Sequence, residues 1–129
     1  MDKFDYRWCC GVTVGGVLGM TPEQYIKING YSNKFCGWGG EDDEMNRRIK
    51  EGGGFQIFRP GEGYSKFRMI SHARDLRNPD NKQRFQLVNT WKARQYQDGL
   101  NSLPQNISTV EKQITHTHLY VRPHDCATS

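Results

Sequence analysis

A chain of 129 residues holds enough material for one buried core and not for two, which predicts one domain or part of one. A hydrophobic fraction of 35% with 14 glycines excludes wholesale disorder. The net charge of +4 is spread from Lys3 to Arg122 among 14 acids, with no basic run and no RNA-binding aromatic signature, which argues against a nucleic-acid partner.

Met1-Asp2-Lys3-Phe4-Asp5 is not the charged and apolar start of a signal peptide, and the longest apolar stretch, Val12 to Met20, is broken by glycines and too short to cross a bilayer. The reading is therefore no membrane segment in this chain. Val12 to Leu18 alternates between β-branched residues and glycine, as a buried strand opening into a turn at Gly15-Gly16 would. Thr21-Pro22-Glu23-Gln24 then offers an N-cap, a proline at the first helical position and the Gln of a capping box. The helix it starts should bury Tyr25 and Ile28 and stop at Asn29-Gly30.

Glu41-Asp42-Asp43-Glu44 opens a second helix whose basic residues, Arg47, Arg48 and Lys50, come last, in the order the helix dipole favours. Met45 and Ile49 are its apolar stripe, and Gly52-Gly53-Gly54 ends it. Strands are expected over Phe55 to Arg59 and Phe67 to Ile70, followed by a long polar loop from Ala73 to Gln83. Phe85, Val88 and Trp91 mark a third helix over about Arg84 to Gln97, and the tail from Gln113 to Val121 is strand-like.

Cys9, Cys10, Cys36 and Cys126 permit three complete pairings and show no CxxC spacing, so they leave the redox compartment open. Asn106-Ile107-Ser108 fits the N-glycosylation pattern. His116, His118, His124 and Cys126 are ligand types that suit zinc, although their spacing matches no common zinc motif and His116 and His118 fit one strand face equally well.

The acidic turn has two readings. Acids at a helix start ordinarily cap it, and Asp43 with Arg47 or Glu44 with Arg48 makes an i,i+4 pair. Here, however, Gly37, Gly39 and Gly40 surround Trp38, so that a mobile ring can cover a sugar while the carboxylates take hydroxyl hydrogen bonds and one takes a proton.

Gly37-Trp38-Gly39-Gly40-Glu41-Asp42-Asp43 resembles the signature of the β1,4-galactosyltransferase family. The resemblance runs from Met1-Asp2-Lys3-Phe4 through Val14-Gly15-Gly16 and Ile28-Asn29-Gly30. Downstream it takes in Arg68 to Asp75, Gln83-Arg84-Phe85 and Asp98-Gly99-Leu100-Asn101-Ser102-Leu103, and it weakens beyond about Thr115. It implies residues 1–129 as the C-terminal half of a GT-A-like α/β fold, with a nucleotide-binding half on a Rossmann-like sheet not included. The implied reaction is inverting transfer of galactose from UDP-galactose to the 4-hydroxyl of terminal N-acetylglucosamine, supported by Mn²⁺, in the Golgi lumen, where the family is membrane-anchored.

The same resemblance implies roles for residues. Asp42 would be the base, with Glu41 beside it in catalysis, and Gly40, Glu41, Asp42 and Asp43 would hold acceptor hydroxyls. Arg84, Phe85 and Val88 would line the N-acetyl pocket, Trp38, Thr13 and His72 would meet the donor, and residues Ile70 to about Thr90 would form a lid. Met69 and His72 would ligate Mn²⁺ with an Asp-x-Asp from a partner strand. On chemistry alone a thioether is a soft ligand better suited to a core, and a lone histidine suits a surface.

Departures from the pattern widen the range of functions. No Asp-x-Asp occurs in the chain, and Cys10, Thr13 and Cys36 stand where aromatics are usual. A small Thr13 would leave room for the N-acetyl group of UDP-GalNAc. A carbohydrate-binding remnant without turnover, or a degenerate piece of the fold, would also fit a chain that lacks the nucleotide-binding half.

Overall fold

The computed structural model describes residues 5–6, 13–61, 63–64, 66–103 and 107–121. Three helices and one hairpin carry its regular structure: α1 (Pro22–Lys27), α2 (Glu41–Arg47), α3 (Arg84–Arg94), β1 (Ile107–Lys112) and β2 (Thr117–Val121). A π-helical turn, Arg48–Gly52, extends α2, and a 3₁₀ turn, Leu100–Ser102, precedes the hairpin.

α1 starts as its sequence dictates. Thr21 Oγ1 accepts from the Gln24 amide at 3.3 Å, and the Gln24 side chain accepts from the Thr21 amide at 2.9 Å, which satisfies two donors that the first turn leaves open. Ile28, fully buried, follows the helix, whereas Tyr25 is only partly covered. Val14, Ile28, Met45 and Ile49 form the apolar core, with Leu18, Met20, Tyr25, Tyr31, Phe55 and Ile57 packed around it.

A polar core lies beside the apolar one. Arg48 and Glu44 are among the most deeply buried side chains, with Arg48 donating from Nε (3.0 Å) and Nη2 (2.7 Å) to Glu44 Oε1 and from Nη1 to Gly30 O (3.0 Å). Arg94 of α3 reaches Glu44 Oε2 at 2.6 Å and Asp98 Oδ2 at 2.5 Å. Two carboxylates thus face two guanidiniums, so that each buried charge has a partner and hydrogen bonds, the condition under which burial of charge is tolerated.

The Asp98 to Leu103 motif completes this framework rather than a binding site. Asp98 Oδ1 accepts from the Asn33 amide at 2.8 Å, and its Oδ2 from Ser32 Oγ at 2.5 Å. Asn29, in the left-handed region at φ 60°, donates from Nδ2 to Gln95 O and to Asn101 Oδ1, each at 2.8 Å, and accepts from the Asn101 amide at 3.0 Å. Gly99 passes so close that a methyl on it would collide with Asn29 O. Gly99→Ala should therefore cost about 1–3 kcal/mol through forced backbone displacement, read as a lower urea midpoint, and an unchanged midpoint would show that the corner yields freely.

Several expected elements differ. Val12 to Leu18, Phe55 to Arg59 and Phe67 to Ile70, expected as strands, form no ladder among their described residues. A strand exists only through a ladder of hydrogen bonds to a neighbouring strand, and among the described residues these stretches form none. Arg59 Nη2 donates to Thr13 O at 3.0 Å, which ties the Phe55 to Arg59 stretch to the Val12 to Leu18 stretch through a side chain. α3 ends at Arg94 rather than Gln97, with turns beyond it. The tail strand begins at Thr117, because Gln113 to His116 make the turn that returns the chain to β1, and β1 itself was not anticipated.

Candidate active site

The glycines around Trp38 bring the acidic turn against two other parts of the chain. Gly37, Gly39 and Gly40 all have positive φ (84°, 106° and 95°), conformations that few other residues adopt without strain. Gly40 caps α2 with its carbonyl, which accepts from the Glu44 amide at 2.9 Å. Glu41 Oε2 accepts from the Gly39 amide at 3.1 Å, so Glu41 holds the Trp38 loop closed onto the helix.

Asp42 is partly buried, whereas Asp43 beside it is exposed. A methyl placed on Gly15 would collide with Asp42 Oδ2 and stand 3.4 Å from Thr13 Oγ1, so Gly15, Thr13 and Asp42 meet at one point. Burial, and then the charges of Glu41 and Asp43, raise the Asp42 pKa above its ordinary value. Tyr31 belongs to the same electrostatic neighbourhood: burial raises its pKa first, with the Asp42 charge next. Tyr31 carried no signal in the sequence, because nothing local ties it to residues eleven positions away.

The structure does not leave Trp38 free to swing alone. Its amide donates to Pro79 O at 2.8 Å, and its carbonyl accepts from the Asn81 amide at 3.0 Å, an isolated parallel bridge to the end of the polar loop. The ring is about half exposed, with the Arg74 and Arg84 guanidinium carbons 5.4 and 5.8 Å from its centroid. Asp80 pairs with Arg74 and, at 3.6 Å, with Arg84. A methyl on Gly37 would stand 2.6 Å from Pro79 O. Gly37→Ala should break this bridge and speed tryptic cleavage at Arg74 and Arg77 several-fold; an unchanged cleavage rate would mean that the bridge does not order the loop.

Of the expected pocket residues, Arg84 and Val88 pack against Gly40, within 3.0 and 3.3 Å of where its methyl would be, beside Phe35 at 2.8 Å. Val88 is buried while Phe85 is largely exposed, so α3 presents Phe85 to an approaching group and seats Val88 beneath the glycine turn. Asp43 is exposed on the first turn. Met69 is partly buried and His72 exposed, with its Nδ1 3.1 Å from Ala73 O. Among the described residues no three His, Cys, Asp or Glu side chains converge as a metal site. His124, Cys126, Cys9, Cys10 and Asn106 lie outside the described residues, whereas Cys36 is disulfide-bonded. No helix among the described residues is long and apolar enough to cross a membrane.

A family model described as the N-terminal domain of galactosyltransferase matches residues 1–73. The chain is similar to β-1,4-galactosyltransferase 2 of Cricetulus griseus, 39% identical over 121 residues, which are 94% of this chain and 32% of that protein. The Homo sapiens β-1,4-galactosyltransferase 2 is 38% identical over the same shares. The Bos taurus β-1,4-galactosyltransferase 3 is 37% identical over 123 residues, covering 92% of this chain and 30% of the relative. The chain thus spans about a third of the length of these curated relatives. The family match reaches more than half of the chain and includes both the Gly15 turn and the acidic turn that meet at Asp42, and on these grounds the chain belongs to the β-1,4-galactosyltransferase family.

Proposed function

We propose that residues 1–129 are the acceptor-binding part of a GT-A-like transferase that moves galactose from UDP-galactose to the 4-hydroxyl of terminal N-acetylglucosamine, with inversion. The observation that carries this reading is Asp42, a partly buried carboxylate made more basic by its surroundings and set against a glycine turn that leaves its oxygen room. A general base works best when its pKa is drawn toward the operating pH, which is the direction of the Asp42 shift. Asp42 takes the proton of the acceptor 4-hydroxyl as that oxygen bonds to the sugar C1, and the bond from C1 to the diphosphate breaks, so that UDP leaves with the electron pair. Arg84, Phe85 and Val88 hold the N-acetyl side, while Glu41 acts by fixing the Trp38 loop. Trp38 and the loop bridged to it cover the sugars.

Mn²⁺ enters the proposal through Met69 and His72. Mn²⁺ prefers oxygen donors and accepts an imidazole beside them, whereas a thioether is a soft donor, so these two alone make an incomplete set, and an aspartate from outside the 129 residues is needed to complete it. Bound there, the ion would offset charge on the diphosphate. A Golgi lumen is consistent with the Cys36 disulfide, which belongs to oxidising compartments.

Thr13 supports a second donor. Its hydroxyl accepts from the Gly15 amide at 3.2 Å and lies beside the same point as Asp42, so its small side chain leaves space next to the reacting centre. In a full-length enzyme carrying this chain, UDP-GalNAc and UDP-galactose should therefore be used at comparable rates, and Thr13→Tyr should shift the ratio about tenfold or more toward UDP-galactose. A strong UDP-galactose preference with Thr13 in place would overturn the steric account. Acceptor binding itself is tested by titrating N-acetylglucosamine into the chain and following amide resonances. Shifts are expected over residues 40–43 and 84–88, and shifts confined to other regions would reject the site.

A further inference from the structure

We infer that the β1–β2 hairpin carries a surface site for a borderline transition-metal cation, such as Zn²⁺, chelated by the imidazoles of His116 and His118. The two residues are two apart, His116 immediately before β2 and His118 within it, a spacing that puts both side chains on one face where the chain is extended. Their ring centroids are 5.3 Å apart. Two imidazoles bound to one tetrahedral metal at 2.0–2.1 Å through nitrogen have centroids about 5 Å apart, so small side-chain rotations bring both nitrogens to a shared ion.

Neighbouring groups support this arrangement. Thr115 Oγ1 lies 3.0 Å from His116 Nδ1, a contact that occupies this nitrogen and leaves Nε2 as the ligand atom. Tyr120 continues the row with its ring 5.7 Å from His118, and its hydroxyl donates to Glu111 Oε2 at 3.4 Å. Glu111 is the cross-strand partner of His118, so a carboxylate shares the face and favours a cation there. The whole of β2 is exposed, which leaves the remaining coordination positions to water. With two protein ligands the site is exchangeable rather than structural, and imidazole selects Zn²⁺, Ni²⁺ or Cu²⁺ over the oxygen-preferring Mn²⁺. It shares no residue with the proposed Mn²⁺ pair and does not rest on the transfer reaction.

The test is calorimetric titration of Zn²⁺ into the full chain, with circular dichroism confirming that each variant keeps the parent's fold. One site of micromolar affinity is expected, weakened about tenfold or more by His116→Ala and by His118→Ala, because either change turns a chelate into a single ligand. His72→Ala should bind as the parent does. Affinity retained in both hairpin variants, affinity lost equally in a His124→Ala/Cys126→Ser variant, or no binding below millimolar Zn²⁺ would each overturn the proposal.

Discussion

Asp42→Asn, introduced where the chain is grafted in place of the matching third of the Cricetulus griseus relative, is expected to lower turnover by about 10²-fold or more. The amide keeps the shape of the side chain and cannot take the acceptor's proton. The same change should stabilise the fold at neutral pH. The Asp42 pKa is raised in the folded chain by burial and by Glu41 and Asp43, so the folded state holds that proton more tightly than the unfolded one. Its favourable contribution is complete below the ordinary carboxylate value of 3.8 and is lost as pH rises through the folded value. Asn removes that loss, so the variant's melting temperature should exceed the parent's at pH 7 and match it near pH 3. The gain is below about 1 kcal/mol, since the carboxylate is only partly buried and solvent screens the charges beside it. A variant that keeps the parent's rate would remove Asp42 from the chemistry; one that loses activity together with stability would make it a structural residue.

Arg48→Met should give the largest loss of stability, about 3–5 kcal/mol. Arg48 is fully buried, and its removal takes two hydrogen bonds from the Glu44 carboxylate and one from Gly30 O. Arg94 still reaches Glu44, but one guanidinium then faces the carboxylates of both Glu44 and Asp98. Glu44→Gln added to Arg48→Met should restore a good part of the loss, because it removes the uncompensated charge. Urea denaturation of the single and double variants measures both effects. A single-variant loss under about 1 kcal/mol would mean that the network contributes little beyond its packing.

What the sequence made legible was local. The Thr21-Pro22-Gln24 cap, the acids-first order of α2 and the Phe85, Val88 and Trp91 spacing each act within a few residues, and each helix began where they said, although α3 ends earlier than expected. The acidic turn was also legible as the start of α2, and its glycines as the bends that precede it. Interactions between distant positions were not. Glu44 was readable as a partner of Arg48, four residues on, but not of Arg94, and the pattern that flags Asp98-Gly99-Leu100-Asn101 does not say that it clamps Asn29 and Asn33. The strands failed for the same reason: alternation in Val12 to Leu18 describes a surface that suits a sheet, while pairing depends on what lies alongside. Trp38 was read as mobile from its glycines, yet those glycines are what let its backbone approach Pro79.

The most direct measurement is the rate of galactose transfer from UDP-galactose to N-acetylglucosamine, with Mn²⁺ present, by residues 1–129 alone and by the graft into the Cricetulus griseus relative. The account predicts steady turnover by the graft and none above background by the 129 residues alone, since two metal donors and an acceptor site lack the means to hold the diphosphate. Steady turnover by the isolated chain, above that of its His72→Ala variant, or a correctly folded graft without transfer, would contradict it.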